Sequence, residues 1–258
     1  MRNFVKEALQ QGRPMLGFVV MTPNVATIQA LAAGGATWFL IDTEHSPIGI
    51  ESISAMIAAA IAAGAAPFVR IQSPRSDLLK QVIDSGAYGV IFPMIETKAQ
   101  AEETVRVMRY PPMGQRSFGP ITAAQQWSGM DVYDYVRQAN AELLNVAMIE
   151  TQASVDRLDE ILEVDGVDVY LIARGDLTLD LGCPGEMKNP RVQKAVETAE
   201  RKILAKKGAV LGGALTPGDD GKQMIERGYR FLSLGHDLGA LRAVCRARVD
   251  AILGPAKG

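Results

Sequence analysis

The residues best equipped for chemistry arrive in a burst. The apolar run Trp38-Phe39-Leu40-Ile41 is followed at once by Asp42, Thr43, Glu44, His45, Ser46 and Pro47. Acids, hydroxyls and an imidazole just past an apolar run are the components of proton transfer, and the proline ends regular structure there. His45 is one of 2 histidines in the chain, and Asp42 is near enough in sequence to orient its ring if the backbone turns back. On residue types alone, His45 reads equally well as a structurally satisfied loop histidine.

Other reactive groups sit in the same kind of place. Arg70 lies inside Phe68-Val69-Arg70-Ile71, and a guanidinium buried there must meet either a structural carboxylate or an anionic ligand. Glu96, Glu150 and Asp176 each follow an apolar run. Carboxylates at neighbouring strand ends, as Glu150 and Asp176 would be, repel unless a cation lies between them. Oxygen-only ligands suit Mg2+, Mn2+ or a similar hard divalent ion. The plainer alternative makes one acid a salt-bridge partner and Asp176 the cap of a turn starting at Leu177. His236, in Gly235-His236-Asp237, either serves a site or starts the last helix.

Positioning these groups falls to a repeating unit. Short apolar runs recur at Leu16 to Met21, Trp38 to Ile41, Pro67 to Ile71, Gly89 to Pro93, Asn145 to Ile149, Asp168 to Ala173, Ala209 to Leu215 and Arg230 to Leu234. Helix-like segments alternate with them: Asn24 to Gly34, Gly49 to Ala63, Ser76 to Ser85, Lys98 to Arg109, Ser154 to Glu163, Pro190 to Lys207 and Gly218 to Arg227. The steps Gly35-Ala36, Gly86-Ala87 and Gly228-Tyr229 put a glycine just past a helix, as a left-handed cap requires. This order predicts a parallel (β/α)8 TIM barrel, one domain over residues 1–258, with reactive groups at the C-terminal strand ends. Asp237 to Leu253 reads as a final amphipathic helix that closes the barrel floor or packs on a neighbouring subunit. A long stretch between Ile95 and Leu144 holds a Pro- and Gly-rich loop, Tyr110 to Pro120, whose Arg, Ser and aromatic content points to function.

Composition narrows the possibilities. A net charge of -2 with dispersed charges offers no stripe for nucleic acid and no polybasic patch for a membrane, so small molecules or copies of itself are the expected partners. Cys183 and Cys245 lack close-spaced partners, which argues against a disulfide framework or zinc knuckle. The N-terminus has no apolar stretch suited to a signal peptide, and the alanine-rich run Ala55 to Ala66 is too short to span a bilayer, so a cytoplasmic location is expected. The chain has no Gly-x-Gly-x-x-Gly, no P-loop and no lysine at a strand end, the last arguing against an imine-forming aldolase.

Taken together, these residues resemble the HpcH/HpaI family of class II, metal-dependent pyruvate aldolases in the phosphoenolpyruvate/pyruvate barrel superfamily. The resemblance is carried, in order, by Asp42-Thr43-Glu44-His45-Ser46-Pro47, Val69-Arg70, Asp84-Ser85-Gly86-Ala87, Tyr110-Pro111-Pro112-Met113-Gly114-Gln115-Arg116-Ser117, Met148-Ile149-Glu150-Thr151 and Gly175-Asp176-Leu177. It implies that Glu150 and Asp176 hold a divalent ion, Mg2+, Mn2+ or Co2+, which chelates a pyruvate-like 2-oxoacid. It also implies that Arg70 stabilises the enolate and that His45, held by Asp42, is the acid/base acting through a water. Backbone N–H groups near Gly175 would take the substrate carboxylate. Asp84 would act from a neighbouring subunit of a homo-oligomer, commonly a hexamer.

Two departures stand out. The family's Gly-Pro-Ala-Asp-Leu turn reads Ala173-Arg174-Gly175-Asp176-Leu177, which sets a long cation beside the metal ligand and predicts a less rigid loop. Met148 replaces a glutamine of some relatives. The implied activity is reversible cleavage of a 4-hydroxy-2-oxoacid into pyruvate, or hydroxypyruvate, and an aldehyde, with the Met113 to Pro120 loop and a neighbouring subunit expected to recognise the aldehyde. The alternatives are a CoA-thioester lyase of the citryl- or malyl-CoA type on the same barrel, and a non-enzymatic binding or assembly protein. The first would need a basic groove for the nucleotide, and no basic cluster supplies one.

Overall fold

The computed structural model describes residues 2–255. Every one of the apolar runs becomes a strand: β1 Met15–Val20, β2 Trp38–Asp42, β3 Ala66–Arg70, β4 Gly89–Phe92, β5 Leu144–Ile149, β6 Val169–Ile172, β7 Val210–Ala214 and β8 Phe231–His236. They pair in parallel and in sequence order, and β8 returns to β1 to close the barrel. β2, β4, β5 and β6 are buried along their whole length, which is why they read as continuous apolar runs rather than as alternating ones.

The helices between them are α1 Phe4–Gln10, α2 Val25–Ala33, α3 Ile50–Ala62, α4 Leu78–Asp84, α5 Lys98–Met108, α6 Ile121–Gln126, α7 Val132–Glu142, α8 Gln152–Asp156, α9 Leu158–Leu162, α10 Arg174–Asp180, α11 Pro190–Ala205, α12 Gly221–Glu226 and α13 Asp237–Leu253. The side chains of Asn24, Thr97, Asp131, Asn189 and Asp220 accept backbone N–H groups at helix starts, and Gly35, Gly86 and Gly228 take φ of 99°, 103° and 107° after helix ends. Three features differ from the sequence expectation. The segment expected as one helix from Ser154 to Glu163 breaks at Arg157 into α8 and α9. Helices α1 and α6 form where none was expected. The turn beginning near Leu177 is a helix, α10. None of the described helices is long and apolar enough to cross a membrane.

An aromatic plug fills the lower barrel. Trp38 opens β2 and stacks on Phe231 at a centroid distance of 3.8 Å, and Phe68 meets both rings edge-on. The plug leaves no room beside it: a Cβ on Gly17 would lie 2.2 Å from the indole ring of Trp38. With the N-terminal end sealed, the strands' C-terminal ends are left as the open rim.

Helices run back against the strands, so whatever follows a helix lies at the N-terminal end. There Arg109, just past α5, is 2% exposed and donates to the carbonyls of Leu143 at 2.8 Å and Gly166 at 3.3 Å and to Asp168 at 3.3 Å. Lys6 meets the other oxygen of Asp168 at 2.8 Å. Arg116 lies against the ring of Tyr110 at 4.4 Å and pairs with Asp84 at the end of α4. The Tyr110 to Pro120 loop folds back beneath α5, with N–H donation from Gln115 to Arg106 at 2.7 Å and from Arg116 to Arg109 at 2.8 Å. It therefore lies away from its own chain's rim. The expectation that Met113 to Pro120 lines the aldehyde site does not hold within one chain, because α5 delivers this loop to the sealed end.

Candidate active site

The last residues of β2 and β3 are register partners, and this sets Asp42 beside Arg70. Arg70 Nε donates to Asp42 Oδ1 at 2.9 Å and Nη2 to Oδ2 at 2.8 Å, a two-pronged pair. Asp42 is fully buried, and its Oδ1 also accepts the N–H of Glu44 at 3.0 Å and of His45 at 3.5 Å. Burial alone would raise the Asp42 carboxyl's pKa. The hydrogen bonds and charge of Arg70 outweigh it and hold the carboxyl below the usual range.

The expected pairing of Asp42 with the His45 ring is accordingly corrected. Register brings a guanidinium to Asp42, whose Oδ1 takes Arg70 Nε and two backbone N–H groups and whose Oδ2 takes Arg70 Nη2, and Asp42 meets His45 only at its backbone N–H. The ring of His45 is instead 59% exposed, with Nε2 3.7 Å from Glu44 Oε2. Glu44 also lies 3.2 Å from Arg70 Nε. It was not singled out from the sequence, although its place inside the polar burst was the available signal.

Glu150 follows β5 and is 4% exposed. Burial pushes its pKa up to about 7, the N–H of Met94 opposes the shift, and the charges of Asp176 and Glu44 add to it. That N–H reaches Glu150 Oε1 at 2.5 Å from a backbone with φ 55° at Met94, a left-handed conformation uncommon for a side chain of this kind. Asp176, in the first turn of α10, is exposed, and its side chain makes no hydrogen bond or ion pair among the described residues.

Four acids thus gather around Arg70 on the rim: Asp42, Glu44, Glu150 and Asp176. Asp42 is neutralised by Arg70, and the remainder is a surplus of negative charge on oxygen ligands. Such a donor set fits a hard divalent cation. Among the described residues no group of three or more His, Cys, Asp or Glu side chains has the geometry of a metal centre. An ion bound by Glu150 and Asp176 would complete its shell with water or substrate oxygens.

Several neighbours are structural. Glu96 accepts the hydroxyl of Thr151 at 2.8 Å, linking the ends of β4 and β5. His236 accepts the N–H of Gly239 at Nδ1 and so starts α13. Met148 places its sulfur 3.9 Å from Arg70 Nη1, a weak acceptor for that donor. Gly175 is exposed, with open space where a side chain would project. Asp84 is brought to Arg116 at the sealed end and not to the rim of its own barrel. Arg174, expected to loosen its loop, is anchored: it pairs with Asp219 and donates to the carbonyl of Ala214 at 2.9 Å.

Comparison with known proteins identifies the family. The chain is 33% identical over 236 residues to the 2-keto-3-deoxy-L-rhamnonate aldolase of Escherichia coli K12, covering 91% of this chain and 87% of that protein. An HpcH/HpaI aldolase/citrate lyase family protein from Burkholderia cenocepacia J2315 superposes with a TM-score of 0.89 at 27% identity, covering 97% and 99% of the two chains. The citrate synthase SbnG gives a TM-score of 0.86 at 28% identity over 95% and 96%. The family model for HpcH/HpaI aldolase/citrate lyase matches residues 16–243, and the chain belongs to that family.

Proposed function

We propose that the protein is a class II aldolase that reversibly cleaves a 4-hydroxy-2-oxoacid, of the 2-oxo-3-deoxy acid kind, into pyruvate or a close analogue and an aldehyde. The observation that carries this is the buried, two-pronged Arg70–Asp42 pair beside the surplus carboxylates Glu150 and Asp176. Asp42 fixes the guanidinium through Nε and Nη2, and only a thioether engages Nη1, which leaves that donor for a ligand oxygen.

Glu150 and Asp176 would hold an ion of the Mg2+, Mn2+ or Co2+ type, which when bound chelates the 2-oxoacid and polarises its carbonyl. As the C3–C4 bond breaks, its electron pair passes into the enolate and Arg70 holds the charge growing on the keto oxygen. His45, exposed at the rim, takes the proton of the 4-hydroxyl as the aldehyde departs. Return of a proton to C3 gives pyruvate. Gly175 lies at the start of α10, where backbone N–H groups receive the substrate carboxylate.

The protein acts as a cytoplasmic homo-oligomer of single-domain barrels, a hexamer by its resemblance. Two observations support assembly. Along α13 Leu238, Leu241, Val244, Val249, Ile252 and Leu253 are exposed and only Asp237 is buried. Asp84 pairs with Arg116 at the sealed end, so a role in the site would have to be at another copy's rim.

Deuterium exchange at the pyruvate methyl group, followed by NMR with and without chelator, tests the proposal. Exchange that needs a divalent ion is the expected result. No exchange with Mg2+, Mn2+ or Co2+ would sink it.

A further inference from the structure

We propose that Arg174 and Asp219 form a clamp that positions the loop carrying Asp176, bolting the end of β6 to the end of β7. The inference rests on the assignment of Asp176 to a metal site.

The segment needs such an anchor. Helix α10 is 7 residues long, has Ala173 at its N-cap position with no side-chain cap, and carries Gly175 in its first turn. A helix this short, uncapped and glycine-containing is marginal by itself. Its far end is tied, because Asp180 accepts the N–H of Gln152 at 2.7 Å. Its near end, where Asp176 stands, has Arg174.

The contacts of Arg174 are those of a fastener. Nη1 donates to Asp219 Oδ1 at 3.0 Å, and Nη2 donates to Asp219 Oδ2 and to the carbonyl of Ala214, the last residue of β7. Asp219 Oδ2 in turn accepts the hydroxyl and the N–H of Thr216. One carboxylate thus gathers the β7–α12 loop and the start of α10. The side chains of Arg174 and Asp219 are 10% and 20% exposed, which shields the pair from solvent. Burial would raise the Asp219 carboxyl, but the donors from Arg174 and Thr216 hold it below the usual range. With both terminal nitrogens engaged, Arg174 has no free fork for a substrate carboxylate. It acts through Asp176 as a positioning residue.

The test uses the full chain and its Arg174→Ala, Arg174→Lys, Asp219→Asn and Arg174→Ala/Asp219→Ala variants, read by amide hydrogen exchange over residues 174–178 and by Mn2+ calorimetry. Arg174→Ala and Asp219→Asn should lose exchange protection there and bind Mn2+ roughly 10- to 100-fold more weakly, the usual cost of losing support behind a ligand. Lysine should rescue only partly, since it cannot span two acceptors. The double variant should bind no worse than Arg174→Ala, because the pair acts as a unit. Unchanged exchange in both Arg174→Ala and Asp219→Asn overturns the clamp. A raised KM with unchanged Mn2+ affinity also overturns it, by making Arg174 a substrate contact. If Arg174→Ala fails to fold, the near-isosteric Asp219→Asn decides. A parent chain that binds no Mn2+ refutes the metal assignment alone, and the exchange data still judge the clamp.

Discussion

Both ends of the barrel bury arginines against aspartates, and the two ends are not alike. At the sealed end Asp168 lies between Arg109 and Lys6, Asp84 answers Arg116, and two donors of Arg109 end on backbone carbonyls. Cations there match or exceed acids, so the cluster has no surplus carboxylate to hold a metal ion. At the rim Arg70 answers Asp42 and leaves Glu44, Glu150 and Asp176 in excess, with Glu150 pushed up to about 7. An ion pair alone therefore does not mark a site. Several carboxylates left over beside one arginine mark a place for a cation.

That contrast can be broken at its strongest point first. Glu150→Ala and Asp176→Ala should each abolish divalent binding in calorimetry and with it pyruvate proton exchange; unchanged affinity in both would refute the ligand assignment. Arg70→Lys keeps the charge and loses the planar fork, so most turnover should go, and near-normal kinetics would demote Arg70 to a structural role. His45→Ala should slow the reaction by roughly 10²- to 10⁴-fold. A much smaller effect would assign the base to water or to Glu44.

The sealed end should answer in stability instead. Arg109→Met leaves Asp168 with Lys6 and the N–H of Asn145 and should cost about 3 kcal/mol, the low end of the penalty for breaking a buried pair, while exchange by the protein that remains folded is unaltered. Loss of activity without loss of stability would join the two ends functionally. The smallest effect concerns pH. The Glu150 carboxyl is raised in the folded chain from 4.5 to about 7, so between these values the folded state binds more protons than the unfolded one. Stability of the metal-free chain should therefore fall as pH rises through this window, and should do so less in Glu150→Gln. Denaturant titrations across that range would show it, and a flat profile would contradict the raised value.

Much of this was legible in the residues themselves. Strands buried on both faces had to appear as unbroken apolar runs, and the glycines after α2, α4 and α12 announced where each helix handed over. Barrel order then placed Asp42, Arg70, Glu150 and Asp176 on one rim. What stayed hidden was non-local. Asp42 lies close to His45 in sequence, yet its partner came from β3 through strand register. The anchoring of Arg174 depends on a carboxylate 45 positions away. The Tyr110 to Pro120 loop carries reactive residue types, but the direction of α5 decides which end of the barrel receives them. The break at Arg157 had no glycine or proline to signal it.

The stacked Trp38 and Phe231 have a kinetic corollary. Because they stopper the barrel from below, reactants and products must share one approach to the strand ends, from the rim side. On the proposed reaction the 2-oxoacid lies deepest, against Arg70, and the aldehyde lies above it. Synthesis then runs in a compulsory order, oxoacid first. Cleavage releases the aldehyde before pyruvate, so pyruvate is the product that competes with the incoming substrate.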